Sequence, residues 1–438
     1  WLVPHFEKMA YDNGVLLELY ARAFAVAGDP LWRAAAEGIL AYYDDVAPGL
    51  LAHGGFPASQ DADIGPDDDG DYWTWTRAEV ERALGGDERL IRAAVLGFGL
   101  DDPGARMHLG PERRVLFRAL PPEELGRRLE TGAEEAAALL AEAARRLKAA
   151  RDERPRPFVD ETVYTGWSCL LASGCLAAAR HLGRDDARDT ALRCLARIWD
   201  EAFDATNGAA HRLDDPDAGA FLEDQADFAQ ALVDAFEATQ DDVWLARARA
   251  VADVLIDRFS DADGAAFVDR PADEPAPAAP LAAPHRPIAD APAPAGNAVA
   301  ALVLLRLAAL TGVERYRERA GLALAAFADS APRMITAAAS YARAVGWATA
   351  PLTSVVVIAE PGDAAGETLF RAALGTYRPR TVLRRFAPGR VDADAVPPEL
   401  RAMLTGAAPR AYVCAGQSCA APVAEPDALR ALLRDFRG

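Results

Sequence analysis

Lysine, cysteine and histidine are scarce in this sequence, and their scarcity excludes several classes of protein. The chain has two lysines, Lys8 and Lys148, and its net charge of −19 argues against a nucleic-acid partner. Its five cysteines form no zinc-binding spacing, so no metal site is expected. Cys414 and Cys419 are close enough in sequence for a disulfide, but we expect two ordinary thiols in a reducing, cytoplasmic compartment.

Long apolar runs and the common nucleotide-binding and hydrolase motifs are absent as well. No run approaches the roughly 20 residues that span a bilayer, so no membrane association is expected. The sequence contains no P-loop, G-x-G-x-x-G, G-x-S-x-G or H-E-x-x-H motif, and no cofactor is predicted. The chain begins at Trp1, inside a motif, so we expect residues to precede it in the full-length protein. Any signal peptide would lie among them.

The main positive feature is a helical hairpin that recurs four times. The first helices of the hairpins are predicted near 11–27, 161–182, 222–239 and 296–311. Their partners are predicted near 31–46, 185–202, 242–259 and 314–328. Such hairpins bury their apolar stripes only by stacking on neighbours. Their irregular spacing and long loops favour a closed α/α toroid, whereas an open array of regular helical repeats is the alternative.

The sequence as a whole predicts a mainly α toroid over 1–350 and a small α/β segment over 351–438. Helical patterns at 77–84, 87–97 and 123–150 indicate a degenerate hairpin, and the Pro/Ala-rich stretch 271–295 is predicted to be a loop. The C-terminal segment is predicted to contain strands at 354–358, 380–386 and 410–414 and helices at 363–374 and 426–436.

Polar and aromatic residues are concentrated where the first helices begin. In a ring of hairpins these helix starts and the ends of the second helices share one side, so we expect a single concave site there. The acid–base candidates are His5, Asp12, Asp61, Asp63, Glu223 and Asp224. The ligand-binding candidates are Glu7, Tyr11, Asn13, Tyr72, Trp73, Trp75, Trp167 and Asn297. Acidic residues at helix starts also cap free N–H groups, and this is the competing interpretation of each carboxylate.

The opening motif, Trp1-Leu2-Val3-Pro4-His5-Phe6-Glu7-Lys8-Met9 followed by Tyr11-Asp12-Asn13, closely resembles a known family. It is the thioredoxin-domain-containing family related to spermatogenesis-associated protein 20. The likeness recurs at Gly54-Gly55-Phe56, Asp61-Ala62-Asp63, Tyr72-Trp73-Thr74-Trp75-Thr76, Phe221-Leu222-Glu223-Asp224 and Gly296-Asn297-Ala298-Val299-Ala300, and in the tail at Cys414, Cys419, Pro422 and Val423.

The resemblance implies a six-hairpin, glycosidase-like (α/α)6 toroid preceded by a thioredoxin-like domain. The thioredoxin-like domain and the opening hairpins would lie upstream of Trp1. We therefore expect an incomplete ring with apolar surface exposed near 15–26. The sequence departs from the family pattern at Gln60, where Glu is usual, at Gln225, where Tyr is usual, and at Ser168-Cys169, where Asn-Gly is usual.

Together these features predict a toroid that binds a carbohydrate or similar polyhydroxylated ligand. In an epimerase or isomerase, a general base would remove a proton next to a carbonyl, and His5 is the candidate. In a glycoside hydrolase, two of Asp12, Asp61, Asp63, Glu223 and Asp224 would act as acid and base. The alternative is a non-catalytic module that binds substrates or partners for the attached thioredoxin-like domain.

Overall fold

The computed structural model describes residues 3–102, 107, 110–215, 218–272, 284–388, 390, 409–416 and 418–436. The chain folds as two compact units. Trp1–Met9 and Ser59–Asp160 form the first, and Ala10–Ala58 and Glu161–Gly438 form the second. This division differs from the predicted boundary at residue 350, because the C-terminal α/β segment is grouped with the hairpins.

Helices account for most of the described chain. They are α1 (Ala10–Ala27), α2 (Pro30–Val46), α3 (Pro48–Ala52), α4 (Arg77–Ala83), α5 (Glu88–Gly97), α6 (Pro122–Leu129), α7 (Ala133–Asp152), α8 (Thr165–Leu182), α9 (Asp185–Glu201), α10 (Leu222–Thr239), α11 (Asp242–Phe259), α12 (Gly296–Thr311), α13 (Glu314–Ala326), α14 (Ala339–Thr349), α15 (Ala364–Gly375) and α16 (Pro426–Asp435). The strands are β1 (Lys8–Met9), β2 (Ser59–Gln60), β3 (Val159–Asp160), β4 (Phe203–Asp204), β5 (Gly208–Ala209), β6 (Thr353–Ile358), β7 (Thr381–Phe386), β8 (Arg410–Ala415) and β9 (Ser418–Cys419).

All four predicted hairpins are present in the second unit, as α1–α2, α8–α9, α10–α11 and α12–α13. Their turns follow from local sequence. The side chain of Asp29 accepts a hydrogen bond from the Leu31 N–H at the start of α2, and Asp241 does the same for Val243 in α11. Helix α8, the first helix of the second hairpin, begins at Thr165 rather than at the predicted residue 161. Tyr164 is held in an isolated antiparallel bridge with Arg212, and the helix therefore starts after it.

The hairpins form two layers. The first helices pack side by side in the order α1, α8, α10, α12, with α14 next to α12, and each second helix packs against its own partner. Helices α8, α10 and α12 are buried along most of their length. Arg343 of α14 lies 3.7 Å from Glu18 of α1, which brings the two ends of this row together. The arrangement is therefore the predicted mainly α toroid, and it is not an open superhelix.

Glycine lets the first two inner helices pack closely. A Cβ atom on Gly14 of α1 would lie 2.6 Å from the backbone carbonyl carbon of Leu170 in α8. A Cβ atom on Gly174 would lie 2.7 Å from the carbonyl oxygen of Gly14. The backbones are therefore in contact, and any side chain at either position would push the helices apart.

The first unit contains α4 to α7 and a three-stranded sheet in the order β1-β2-β3, with both pairs antiparallel. Its core is built around Trp75, Val80, Leu84, Leu90 and Leu147. The single long helix predicted at 123–150 is wrong: α6 ends at Leu129, and α7 begins at Ala133. Glu130 interrupts the helix because its backbone is left-handed, with φ of 58°.

The C-terminal part of the second unit forms the predicted small α/β segment. Its sheet has the order β7-β6-β8-β9, with β6 parallel to β7 and antiparallel to β8. Residues Cys414 and Cys419 form a disulfide, so the prediction of two free thiols is wrong. The reason is the register of β8 and β9, which places these two residues directly opposite each other, with their Cα atoms 4.1 Å apart.

Three further expectations concern exposed apolar surface on α1, the predicted loop 271–295 and the absence of membrane spans. Leu16, Leu19 and Val26 of α1 are 37%, 55% and 70% exposed, so apolar side chains do face solvent in the 15–26 region. Residues 284–295 of the predicted loop contain no helix or strand, and 273–283 lie outside the described residues. Across the described helices, none is long and apolar enough to cross a membrane.

Candidate functional site

The first turns of the inner helices converge at one end of the second unit. The ring of Tyr11 in α1 lies 4.9 Å from that of Trp167 in α8. The Gly166 N–H donates a 3.0 Å hydrogen bond to Oδ1 of Asp224 in α10. A Cβ atom on Gly296 of α12 would lie 3.1 Å from the Leu222 side chain. Within this unit the helix starts therefore meet, as the hairpin pattern predicts.

The centre of this region is a histidine–aspartate pair. Nδ1 of His211, which lies between β5 and α10, is 3.0 Å from Oδ2 of Asp224. Asp224 is fully buried and also accepts hydrogen bonds from the backbone N–H groups of Gly166 and Phe221. The carboxylate is thus fixed by three donors, and it orients the imidazole, which is partly exposed to solvent.

Aromatic rings continue from this histidine in an unbroken row. The centroid separations are 4.9 Å for Phe221 to His211, 5.0 Å for His211 to Tyr164 and 4.7 Å for Tyr164 to Trp167. Tyr11 extends the row beyond Trp167. These rings are half-buried, so each keeps part of its surface open. Such a row provides the apolar face of a binding site beside a group that can transfer protons.

The surroundings of the pair raise the pKa values of its titratable groups. The hydrogen bond to Asp224 raises the pKa of His211, although desolvation opposes this shift. Desolvation raises the pKa of Glu223, and the neighbouring Asp224 charge adds to the effect. Burial also raises the pKa of Asp224 despite its hydrogen bonds, and it raises the pKa of Asp227 well above the usual range. Oδ1 of Asp227 is buried and has no hydrogen-bond partner among the described residues.

Gly166 leaves room for these carboxylates. A Cβ atom built on it would lie 3.2 Å from Oδ1 of Asp224 and 3.5 Å from Oδ2 of Asp227. The absence of a side chain therefore allows the start of α8 to approach α10 and allows the Gly166 N–H to reach Asp224.

Several predicted site residues of the second unit have other surroundings. Asp12 lies exposed in the first turn of α1, where desolvation raises its pKa, and Asn13 is half-buried in the same turn. Asn297 is buried, and its amide donates to the carbonyls of Phe267 and Pro287 and accepts from the Phe267 N–H. Both of its N–H groups are used in fixing loops, so the structure does not support Asn297 as a ligand-binding residue.

The predicted acid–base residues of the first unit are mostly at its surface. His5 is fully exposed and is paired with Glu7, at 3.8 Å. Asp61 is exposed. Asp63 accepts a 2.8 Å hydrogen bond from the Gly70 N–H, which is a loop-capping role. The structure thus surrounds His5 with solvent rather than with the walls of a cleft, which argues against the predicted role of general base.

Cations cover the predicted aromatic platforms of the first unit. Nζ of Lys8 lies 3.6 Å from the ring centroid of Trp73, and the guanidinium of Arg154 lies 4.0 Å from that of Trp75. Tyr72 is buried with its ring 4.8 Å from Trp73. Burial and the Arg151 charge lower the pKa of Lys8 to about 8. These contacts are cation–π packing, which stabilises the unit and occupies ring faces that a ligand would need.

Sequence reasoning missed His211, Tyr164 and Asp227 as site residues. His211 could have been found, because it follows the second helix of one hairpin and precedes the first helix of the next, which places it at the same end as the predicted site. Asp227 carries no such signal, since its isolation from partners depends on packing. No cluster of potential metal ligands occurs within the described ranges.

The sequence of this chain is similar to those of several known proteins. No family model matches it. It is 28% identical to human spermatogenesis-associated protein 20 over 477 residues, covering 99% of this chain and 58% of that protein. It is 25% identical to an uncharacterized protein of Caenorhabditis elegans, covering 100% of this chain and 62% of that protein.

Among solved structures, D-mannose isomerase is similar with a TM-score of 0.41 and 11% identity, covering 72% of this chain and 59% of that chain. In sequence, the chain is a homologue of spermatogenesis-associated protein 20 along 99% of its own length, and it spans 58% of that relative.

Proposed function

We propose that the His211 region is an acid–base site that binds a carbohydrate or similar polyhydroxylated ligand and transfers a proton on it, as a sugar isomerase or epimerase does. The single observation that carries this proposal is the hydrogen bond between His211 and the buried Asp224, set beside a row of half-buried rings. A carbonyl sugar needs both parts, because its C–H face packs on rings while a base removes the proton next to the carbonyl.

His211 replaces His5 as the proposed base. Its Nδ1 is held by Asp224, which leaves Nε2 to take the proton from the carbon next to the sugar carbonyl. The electron pair of that C–H bond then forms the double bond of an enediol. When the neighbouring carbon takes a proton, the hydroxyl on the first carbon gives up its proton and becomes the new carbonyl, and the product is an isomer. When the first carbon takes a proton on its opposite face, the other hydroxyl gives its proton back to the carboxylate and the original carbonyl returns, and the product is an epimer.

A carboxylic acid is needed to protonate the carbonyl oxygen while the enediol forms. Burial raises the pKa of Glu223 and of Asp227, so each is a candidate proton donor. Asp224 is less suited to act directly on a ligand, because it is enclosed and accepts three hydrogen bonds. A histidine as the base favours isomerisation over hydrolysis, since glycoside hydrolysis ordinarily uses a pair of carboxylates.

The test is proton exchange in heavy water. We expect the protein, incubated with a panel of aldoses and ketoses, to incorporate deuterium next to the carbonyl of at least one sugar, as detected by NMR. The His211→Gln variant should lose this exchange by at least about 100-fold, since general bases contribute rate factors of this order or more. His53→Gln, which changes an exposed histidine, is the matched control.

The outcomes separate catalysis from binding. Sugar binding by the wild type without any exchange would support the non-catalytic module and overturn the catalytic proposal. Absence of both binding and exchange across the panel would overturn the carbohydrate assignment itself. Retention of full exchange in His211→Gln would show that another group is the base.

A further inference from the structure

A cavity lies at the end of the inner helices opposite the His211 region, in the same unit. It has a volume of about 310 Å³ and is lined by residues near the ends of α1, α8, α10 and α12, by α14 and by the segment between α15 and β7. Asp224 and Glu237 are 13 residues apart on α10, which corresponds to about 20 Å along the helix. The cavity is therefore separate from the His211 site.

The cavity is strongly basic in a chain of net charge −19. Two acidic residues, Asp234 and Glu237, are among its lining residues. The lining arginines are Arg22, Arg180, Arg306, Arg343, Arg378 and Arg380. Because these arginines come from separate elements of the fold, their positive charges converge on one volume of space.

Part of this charge is already compensated by protein groups. Arg306 pairs with Asp234 at 2.7 Å and with Glu237 at 3.2 Å, and Arg180 pairs with Glu237 at 3.0 Å. Arg378 has a structural role, since it donates to Oγ1 of Thr353 and to two backbone carbonyls near the C-terminus.

The remaining arginines have little compensation. Arg22 and Arg343 share one acidic partner, Glu18, which is 3.7 Å from Arg343. The side chain of Arg343 is 39% exposed because it borders the open cavity, yet desolvation and the Arg22 charge lower its pKa. Nε of Arg380 and Oγ1 of Thr381 are buried without a hydrogen-bond partner in the described part of the chain. Two guanidinium groups thus share one carboxylate, and positive charge is left over at this cavity.

A second basic cavity adjoins the first through residues 376–380. Its volume is about 440 Å³, and its lining includes Arg371, Arg430 and Arg434 but no acidic residue. The 376–380 segment therefore has arginines on both sides, although Arg371 pairs with Glu367 at 3.2 Å and Arg430 pairs with Asp427 at 2.6 Å.

We propose that the cavity between Arg343 and Arg380 binds a small phosphate-bearing ligand. Guanidinium groups donate paired N–H bonds to phosphate oxygens, and several arginines from different directions suit a tetrahedral dianion better than one carboxylate. Trp347 and Tyr377 also line the cavity and provide ring surface for the organic part of such a ligand.

Titration calorimetry with inorganic phosphate and pyrophosphate tests this site. We expect saturable binding that weakens as salt is added, together with a rise in melting temperature beyond that given by sodium chloride of equal ionic strength. Arg343→Gln and Arg380→Gln should each weaken binding at least about tenfold, since each removes a charge-assisted hydrogen bond. Arg317→Gln, on the exposed surface of α13, should bind as the wild type does.

The controls locate the site and keep the result interpretable. His211→Gln should retain phosphate binding, because its region lies at the other end of the helices. Loss of binding in His211→Gln, or equal weakening in Arg317→Gln, would overturn the assignment to this cavity. Absence of saturable binding of both anions to the folded wild type would overturn the proposal. If Arg343→Gln does not fold, Arg380→Gln decides the result.

Discussion

Nδ1 of His211 lies 3.0 Å from Oδ2 of Asp224, although the two residues are 13 positions apart and one belongs to an irregular segment. The backbone N–H groups of Gly166 and Phe221 fix the same carboxylate, so three chain segments determine the position of the imidazole. A histidine held in this way can change its protonation state without moving.

The first prediction concerns the titration of this histidine. Because the Asp224 hydrogen bond raises the pKa of His211, Asp224→Asn should lower that pKa toward or below 6.5. The imidazole signals can be followed by NMR from pH 5 to pH 9, with the exposed His53 as an internal reference. An unchanged or increased pKa of His211 in Asp224→Asn would show that the pair is not coupled.

The same shift predicts the pH dependence of stability. A histidine whose pKa is raised in the folded state stabilises the fold fully below the unfolded pKa of about 6.5 and loses that contribution as pH rises through the folded pKa. His211→Gln should therefore lower the free energy of unfolding by about 1–2 kcal/mol at pH 6 and by less at pH 9. Urea denaturation at the two pH values measures the difference, and a constant loss would contradict the ionic pairing.

The sequence predicts part of the His211 region but not all of it. The first helices and their common end followed from hairpin periodicity, and the contacts of Tyr11, Trp167 and Asp224 confirm that end within the second unit. The role of each polar residue did not follow from the sequence. Asn297, for example, has an amide side chain of the kind that binds ligands, but it donates hydrogen bonds to the carbonyls of Phe267 and Pro287. Periodicity places a residue on an element, whereas tertiary packing decides which atoms remain free.

Asp227 provides a test of a buried acid. An aspartate with a raised folded pKa stabilises the fold only while protonated, and that contribution is lost as pH rises from the unfolded pKa of about 4 toward the folded pKa. Asp227→Asn keeps a neutral group at this site, so we expect it to raise the free energy of unfolding at pH 8 by about 1–3 kcal/mol. The gain should disappear near pH 4. A lower melting temperature of the variant at pH 8 would indicate that the ionised carboxylate is stabilised by its surroundings.

Gly166→Ala separates helix propensity from packing. Alanine normally stabilises a helix relative to glycine by about 1 kcal/mol, and Gly38→Ala in the exposed part of α2 should show that gain, because a Cβ atom there meets nothing within 4 Å. At Gly166 the new Cβ atom would lie 3.2 Å from Oδ1 of Asp224. We expect a net loss of about 1–2 kcal/mol and a lower pKa of His211, as the carboxylate is displaced. A gain equal to that of Gly38→Ala would show that the carboxylates have room to move.

The last prediction concerns Arg306, the buried cation at the basic end of the inner helices. Its charge, with those of Arg180 and Arg22, lowers the pKa of Asp234 although burial opposes this. Arg306→Met leaves Asp234 and Glu237 with less compensation, so the free energy of unfolding should fall by about 3–5 kcal/mol at pH 7. An aspartate with a lowered folded pKa stabilises the fold above its unfolded pKa and loses that contribution as pH falls, so the defect should shrink toward pH 3. Asp234→Asn and Glu237→Gln added to Arg306→Met should restore most of the loss at pH 7, because the three groups are then neutral. A triple variant as unstable as Arg306→Met would show that the packing of the arginine stem, rather than its charge, stabilises this end of the helices.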